Sequence, residues 1–173
     1  EVWATSSLIK GWFHRRNAQQ LFEIAVSCDP GSEFVELGSY CGRSSSVLGQ
    51  VAMANGHHLT CVDTFSADYS AAFILPNLQE LDIDCTVMMM RSDEAASRFE
   101  RPIDLILIDA NHSYEWVKQD CDLWLPKLKV GGWALFHDYG PGWPGVMQAV
   151  DELEGYEDHG TIRSLTTRRK VRA

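Results

Sequence analysis

The chain has 173 residues, 45% of them hydrophobic, and its 15 basic and 24 acidic residues give a formal net charge of -9. This length suits one domain that buries about two thirds of its unfolded surface, so residues 1–173 are predicted to form a single domain, with an N-terminal helical segment over 1–32 packed on a core over 33–170. The acidic balance argues against a general nucleic-acid binder and against a binder of anionic membranes.

Strand-like and helix-like segments alternate along most of the chain, which is the pattern of a parallel sheet covered on both faces. A helix over 17–28 is followed by a first strand, Glu33 to Leu37. The first core helix is predicted over 44–54, and Asn55-Gly56 ends it in a left-handed cap. A second strand follows over 59–62.

The middle of the chain continues the alternation after a long connection. A helix is predicted over 77–81 and a third strand over 86–90, and Ser92 or Asp93 is expected to cap the short helix that comes next. The fourth strand, Ile103 to Ile108, is almost continuously apolar. Both of its faces are therefore expected to be buried at the centre of the sheet.

The last part of the chain gives two helices and three strands. A helix begins behind Ser113, its expected N-cap, and a turn at Gly131-Gly132 leads into a fifth strand over 133–136. A final helix is predicted over 146–153. Two short strands are expected to pair antiparallel at the edge of the sheet: 156–159 and 162–167.

Four acids fall at the carboxyl ends of predicted strands: Glu36, Asp63, Asp109 and Asp138. In an open α/β sheet, ligands bind in the crevice at this edge. Four acids at one edge are more than chance placement would give, so the sequence predicts a ligand site there.

The turn after the first strand predicts which ligand binds. Gly38-x-x-x-Gly42 lacks the third glycine of a dinucleotide fingerprint, and Glu36 stands just before it, two residues from Gly38. S-adenosylmethionine has no phosphate and carries a cationic sulfonium and ammonium, so an acidic turn suits it, and Asp63 would accept hydrogen bonds from its ribose. The alternative is a tight turn in a parallel sheet that binds no ligand.

Three motifs in order resemble class I S-adenosylmethionine-dependent methyltransferases. They are Glu36 to Ser44, Ile108 to Glu115 with Asp120 behind it, and Leu128 to Tyr139. The similarity covers about 11–170 and is greatest to the branch that contains the macrocin and mycinamicin sugar O-methyltransferases. It implies a Rossmann-like three-layer sandwich, with a seven-stranded, mostly parallel sheet and an antiparallel last strand.

The resemblance also implies roles for individual residues. Cofactor contacts are expected at the methionine end from Glu36, Gly38, Ser39 and Gly42, at the ribose from Asp63, at the adenine edge from Ser92 and Asp93, and from Asp109. In metal-dependent relatives, acids that match Asp109 and Asp138 hold a divalent ion such as Mg²⁺, and a histidine that matches His112 is the general base. The third ligand varies among relatives, and Tyr139 stands where some of them have an acid or an amide.

The chemistry of these residues agrees with this assignment. Methyl transfer requires the acceptor to be held about 3 Å from the methyl group with a lone pair available. Mg²⁺ between Asp109 and Asp138 would lower the pKa of an acceptor hydroxyl, and His112 would take its proton. The alternatives are purely structural roles: Asp109 caps a turn, His112 hydrogen-bonds the loop backbone, and His137 is a packed histidine.

The sequence therefore predicts an S-adenosylmethionine-dependent methyltransferase, with Asp109 and His112 as catalytic residues, that acts on a hydroxyl of a small-molecule acceptor with help from a divalent metal. One alternative is a catalytically silent cofactor-binding or interaction module of the same fold. A second is a nicotinamide-dependent oxidoreductase, against which the missing third glycine counts.

Compartment and assembly follow from simpler observations. The five cysteines are an odd set without a Cys-x-x-Cys pair, which favours reduced thiols and a cytoplasmic protein. No apolar run approaches the roughly 18 residues needed to cross a bilayer, so no membrane association is expected. A homodimer is expected, because a short chain with an uncovered site commonly borrows a wall from a neighbouring subunit.

Overall fold

The computed structural model describes residues 2–66 and 70–172, with a seven-stranded sheet at the centre. The strands are β1 (Glu33–Leu37), β2 (His58–Asp63), β3 (Thr86–Met89), β4 (Ile103–Ile108), β5 (Leu128–Phe136), β6 (Tyr156–Ile162) and β7 (Leu165–Lys170). The helices are α1 (Val2–Ser6), α2 (Arg15–Val26), α3 (Arg43–Asn55), α4 (Ile74–Gln79), α5 (Ser92–Arg98), α6 (Tyr114–Trp124) and α7 (Pro144–Asp151).

The strand order is β3-β2-β1-β4-β5-β7-β6. Strands β1 to β5 pair in parallel, whereas β7 runs antiparallel to both of its neighbours. The prediction of a mostly parallel sheet with an antiparallel last strand is confirmed. This topology brings the carboxyl ends of β1, β2, β4 and β5 to one edge.

Strand β4 shows how the sequence builds three layers. Its side chains alternate between two hydrophobic cores, because successive residues of a strand face opposite sides of the sheet. Ile106 and Ile108 pack with the layer of α5, α6 and α7, whereas Leu105 and Leu107 pack with the layer of α2 and α3. All four side chains are buried, as the continuous apolar pattern predicted.

Strand β5 begins at Leu128, five residues before the predicted start at 133. Gly131 and Gly132 lie inside the strand, and the register with β4 shifts between Ile103 and Leu105. A Cβ at Gly132 would lie 3.0 Å from the Asp104 carbonyl oxygen. The glycine pair thus accommodates an irregularity within the strand, where the sequence suggested a turn.

The edge hairpin also differs from its prediction. The turn lies at Arg163-Ser164, and Arg163 has a positive φ of 57°. Gly160, at the expected turn, is inside β6 beside a register shift between Asp158 and Thr161. Six of the seven β6 residues are exposed, so the strand has no alternating pattern to mark its end.

Some helix boundaries differ from the predicted ones by a few residues. Helix α4 begins at Ile74, three residues before the predicted start at 77, and Pro76 lies in its first turn, where its missing N–H leaves no helical bond unmade. Gly56 ends α3 in the predicted left-handed conformation, with a φ of 68°. Within residues 2–66 and 70–172, no helix combines the length and apolar character required to span a bilayer.

The N-terminal segment is fixed to α3 by polar contacts. The Arg43 guanidinium donates to the Ile9 carbonyl oxygen at 2.6 Å, and the Ser46 hydroxyl lies 2.7 Å from that of Ser6. These contacts lead residues 10–13 across the carboxyl edge of the sheet, where they form a wall of the cavity described below.

Candidate functional site

A cavity of about 860 Å³ opens at the carboxyl ends of the parallel strands. Its volume lies within the range of roughly 300–1,000 Å³ typical of ligand sites. Most of the site residues predicted from the sequence line it: Gly38, Ser39, Asp63, Ser92, Asp93, Asp109, His112 and Asp138. Side chains that are distant in sequence therefore share one crevice. This was predicted from their positions at the carboxyl ends of the strands.

The turn after β1 requires glycine for close backbone packing. Gly38 has a φ of 88°, and its N–H donates to the Val62 carbonyl oxygen at 2.8 Å. A Cβ at Gly38 would lie 2.1 Å from the Asp109 carbonyl oxygen. Gly42 precedes α3 with a φ of 95°, and a Cβ there would lie 2.8 Å from the Ile74 side chain. These two glycines let the ends of β1 and β4 approach each other and seat α3 against α4.

Glu36 is fully buried and, like Gly42, is not among the residues that line the cavity. One carboxylate oxygen accepts the hydrogen of the Ser45 hydroxyl, whereas the other has no hydrogen-bond partner among the described residues. Burial raises the pKa of Glu36 to about 7, although nearby serine hydroxyls partly offset this effect. In this structure the Glu36 side chain points to Ser45 of α3, and Gly42 packs against α4.

Asp63 is held in place by two backbone N–H groups. Its carboxylate accepts from Tyr40 N at 2.8 Å and from Phe65 N at 2.6 Å. These bonds fix the turns after β1 and β2 relative to each other. Each oxygen keeps a second lone pair, so Asp63 can still accept hydrogen bonds from a ligand in the cavity.

Another part of the cavity wall is formed around the start of α5. Arg91, rather than Ser92 or Asp93, occupies the N-cap position, so the capping prediction is wrong. The Ser92 hydroxyl donates instead to Asp120, and Asp93 pairs with Arg91 at 2.9 Å. The Arg91 guanidinium lies 4.8 Å from the centre of the Trp116 ring.

Two carboxylates and two imidazoles meet where β4 and β5 end. Asp109 follows β4, and His137 and Asp138 follow β5, which is its neighbour in the sheet. The His137 Nδ1 atom lies 3.0 Å from Asp109 Oδ1 and 3.5 Å from Asp138 Oδ2. The His112 Nε2 atom lies 2.9 Å from the same Asp138 oxygen. Asp138 has a φ of 55°.

The electrostatics of this cluster centre on His137, which is 5% exposed. Burial disfavours its charged form, but hydrogen bonds and charges from Asp109 and Asp138 raise the pKa of His137 to about 10. Burial likewise disfavours a charge on Asp138, but the two histidines hold the pKa of Asp138 well below its usual range. Burial raises the pKa of Asp109, and His137 partly offsets that effect. At neutral pH, His137 is therefore a cation between two acids.

We expect the stabilising contribution of His137 to decline as the pH rises. Its pKa is about 10 in the folded protein against an ordinary value of 6.5, so the contribution is complete below pH 6.5 and is lost as the pH passes through 10. The variant His137→Gln keeps a neutral hydrogen-bonding side chain without this titration. Its difference from wild type in unfolding free energy, measured by urea denaturation, should shrink by up to about 5 kcal/mol over this range. A difference that does not change with pH contradicts this assignment.

The cluster also contains the donor atoms of a candidate metal site. Ligand atoms of Asp109, His137 and Asp138 lie within 4.8 Å of one another. Tyr139, the residue considered for the third position, turns away: its hydroxyl donates to Asp151 at 2.7 Å. The sequence favours a packing role for His137, although its position directly before Asp138 at a strand end is a signal for a role in the site.

Aromatic side chains form walls around the cluster. Trp143 stacks on His112 with ring centres 4.1 Å apart, and Phe13 lies 4.9 Å from His137. Trp12, which is 75% exposed, lies 5.1 Å from Tyr40 at the cavity wall. The contribution of residues 10–13 was missed from the sequence, because the segment has no periodic pattern and precedes the first predicted helix.

Residues 35–139 match the family model described as a methyltransferase domain. Among curated proteins, the uncharacterized protein y4gI of Sinorhizobium fredii (strain NBRC 101917 / NGR234) is 30% identical over 115 residues. The match covers 60% of this chain and only 13% of that relative, so the chain corresponds to a small part of it.

Solved structures with the same fold include several methyltransferases. The chain superposes with a TM-score of 0.74 on the SAH-bound methyltransferase PaMTH1 of Podospora anserina, at 16% identity, covering 98% of this chain and 86% of that one. The chain superposes on a proposed O-methyltransferase from Klebsiella pneumoniae with a TM-score of 0.75 at 14% identity, and the match covers 99% of this chain and 88% of that one. It superposes on an rRNA methylase from Streptococcus thermophilus with a TM-score of 0.71 at 15% identity, and the match covers 94% of this chain and 100% of that one. At these identities the likeness shows the fold alone.

Proposed function

Because the chain belongs to the methyltransferase-domain family, we propose that it is an S-adenosylmethionine-dependent enzyme that methylates a hydroxyl group of a small molecule. The observation that carries this proposal is the position of His112 beside Asp138 in the same cavity that Gly38 and Asp63 line. The resemblance to the macrocin and mycinamicin enzymes favours a sugar or another diol as acceptor. The formal charge of -9 disfavours RNA as the acceptor.

The residues of the cavity fit a cationic adenosine cofactor. When bound, the cofactor supplies a methyl group on a positively charged sulfur. Asp63 has free lone pairs for the ribose hydroxyls, and Ser92 and Asp93, which follow β3, also line the cavity. The hydroxyl of Ser39, which lines the cavity, is buried without a partner in the described parts of the chain, so it can accept a hydrogen bond from an ammonium group near the Gly38 turn.

His112 is the proposed general base. Its Nε2 atom is buried 2.9 Å from the Asp138 carboxylate, whose negative charge would stabilise the protonated form of the ring. Trp143 stacks on the same ring and restricts its tilt. We assign acceptance of the hydroxyl proton to the other ring nitrogen, Nδ1, and the placement of the acceptor oxygen to Asp109 and Asp138.

The cluster also fits a divalent cation. Asp109 and Asp138 provide the oxygen ligands that hard cations prefer, and His137 provides nitrogen if it loses its proton. An ion bound there would lower the pKa of the acceptor hydroxyl. With one nitrogen donor in the set, Mn²⁺ suits the site better than Mg²⁺.

We expect calorimetric titration to show Mn²⁺ binding to the wild-type protein more tightly than Mg²⁺, and EDTA to slow turnover. Asp138→Asn should lose Mn²⁺ binding, whereas Asp122→Asn, which changes an exposed acid of α6, should keep it. If EDTA leaves turnover unaffected, Asp109 and Asp138 hold no metal and only orient the two histidines.

Two further features of the protein are part of this proposal. Residues 1–173 form a single methyltransferase domain, with 1–32 as the N-terminal segment and 33–170 as the core. The protein forms a homodimer, which analytical ultracentrifugation would test directly. Contacts between the N-terminal segment and the core, such as Arg43 with Ile9, support the first of these.

The decisive binding experiment is isothermal titration with S-adenosylhomocysteine, the demethylated cofactor. We expect saturable binding that Asp63→Ala weakens, because the carboxylate both shapes the site and faces the ribose. The control Asp29→Ala changes an exposed acid before β1 that does not line the cavity. No binding at millimolar concentration removes the proposal.

Binding without turnover across a broad panel of hydroxyl acceptors favours the silent module, and a change in NADH fluorescence on adding the protein favours an oxidoreductase.

A further inference from the structure

Asp120 is a buried acid that the proposed reaction does not use. It lies on α6 and is 3% exposed, and its Oδ1 atom accepts the hydrogen of the Ser92 hydroxyl. Ser92 lines the cavity, and its own carbonyl oxygen accepts from the Trp124 indole at 3.2 Å. Two residues of α6 thus hold both the side chain and the backbone of Ser92.

The contact with Asp120 fixes the direction of the hydrogen bonds that Ser92 can make. A serine hydroxyl has one hydrogen and two lone pairs, and this hydrogen is committed to Asp120. Burial raises the pKa of Asp120 to about 6, so at about pH 8 the group is a carboxylate and can only accept. The Ser92 oxygen is therefore left as an acceptor toward the cavity.

Asp93, which also lines this end of the cavity, is a second acceptor-only group. Its carboxylate is paired with Arg91, with one bond at 3.0 Å and one at 2.9 Å. Arg91 also lines the cavity, but the Nε atom and one Nη atom of its guanidinium are committed to Asp93. The side chains of Ser92 and Asp93 therefore present hydrogen-bond acceptors at this end. A ligand that suits this edge brings donors, as the 6-amino group of a purine does. A 6-oxo group would place an acceptor against acceptors.

We propose that Asp120 is a positioning residue that fixes the Ser92 hydroxyl as a hydrogen-bond acceptor and thereby selects a 6-amino purine over a 6-oxo purine. The inference rests on the proposed function, in which Ser92 and Asp93 face the base of the cofactor. Asp120 acts through Ser92, without touching the ligand.

The test is isothermal titration at about pH 8 with two ligands: S-adenosylhomocysteine and its deaminated analogue, S-inosylhomocysteine. Wild type should prefer the amino ligand by roughly tenfold or more. In Asp120→Asn the amide can donate to Ser92 and free its hydrogen for the cavity, so the preference should fall about tenfold. Ser92→Ala should lower the preference similarly. The control Asp122→Asn removes an exposed charge from the same helix, where Asp122 pairs with Lys118, and should keep the wild-type ratio.

The ratio of the two affinities separates a positioning role from a structural one, since general damage to the site weakens both ligands alike. If Asp120→Asn does not fold, Ser92→Ala carries the test alone. A wild-type ratio in the variants that fold overturns the inference while the proposed function stands. Failure of wild type to bind either ligand overturns both.

Discussion

Replacing Gly38 with alanine is expected to lower the free energy of unfolding by about 3–5 kcal/mol, or to prevent folding altogether. Two costs add at this position. A φ of 88° is unfavourable for any residue with a Cβ, and that Cβ would lie 2.1 Å from the Asp109 carbonyl oxygen and 2.7 Å from the Ala110 Cα. The atoms it meets belong to the backbone, so no rotation of a side chain relieves the clash.

Gly31→Ala provides the matched control. Gly31 has a φ of 81°, but beyond its two chain neighbours no atom of the described residues lies within 4 Å of the position that a Cβ would take. Gly31→Ala should therefore lower the free energy of unfolding only by the cost of the positive φ, about 1–2 kcal/mol. Urea denaturation followed by tryptophan fluorescence compares the two variants. Equal losses for Gly31→Ala and Gly38→Ala would show that the approach of β1 to Asp109 is not constrained as the structure describes.

Replacing His112 with alanine is expected to reduce kcat/KM by on the order of a hundredfold or more. The variant loses the group that accepts the hydroxyl proton, while the residues proposed to bind the cofactor are unchanged. Affinity for S-adenosylhomocysteine should therefore stay close to that of wild type. The measurement is transfer of a radiolabelled methyl group to an acceptor identified from the hydroxyl panel.

His159→Ala is the control for the loss of an imidazole. His159 lies on β6, 3.8 Å from Glu157 and packed edge-on against Trp133, and it does not line the cavity. Its replacement should leave turnover unchanged. If His112→Ala also retains a rate within a few-fold of wild type, His112 only supports Asp138 and Trp143.

The core of the fold could be predicted because its strands are strongly patterned. The bounds of β1 and β4 were predicted correctly, since β4 is mostly apolar and β1 lies between two glycine-containing turns. The start of β5 was missed because Gly131-Gly132 has the composition of a turn, and only the pairing with β4 keeps it in the sheet. The end of β6 was missed because a solvent-exposed strand has no apolar face.

The sheet edge could be predicted as the place of the candidate site, whereas the direction of each side chain is harder to predict. Val35 and Leu37 face the α5, α6 and α7 layer, so the intervening Glu36 points to the other side and meets Ser45 of α3. The alternation of β1 contained this information. The approach of Phe13 to His137 did not follow from any local pattern, because it depends on how the N-terminal segment docks on α3.

Strand β6, one of the two edge strands of the sheet, bears on self-association. An unpaired strand edge is a template for adding strands from other molecules, and proteins discourage this with charged side chains and bulges. Here Glu157 and Asp158 are exposed beside the register shift in β6. Edge-to-edge aggregation is thereby opposed by charge and by shape, and neutralising these acids is expected to make the protein more prone to fibril formation.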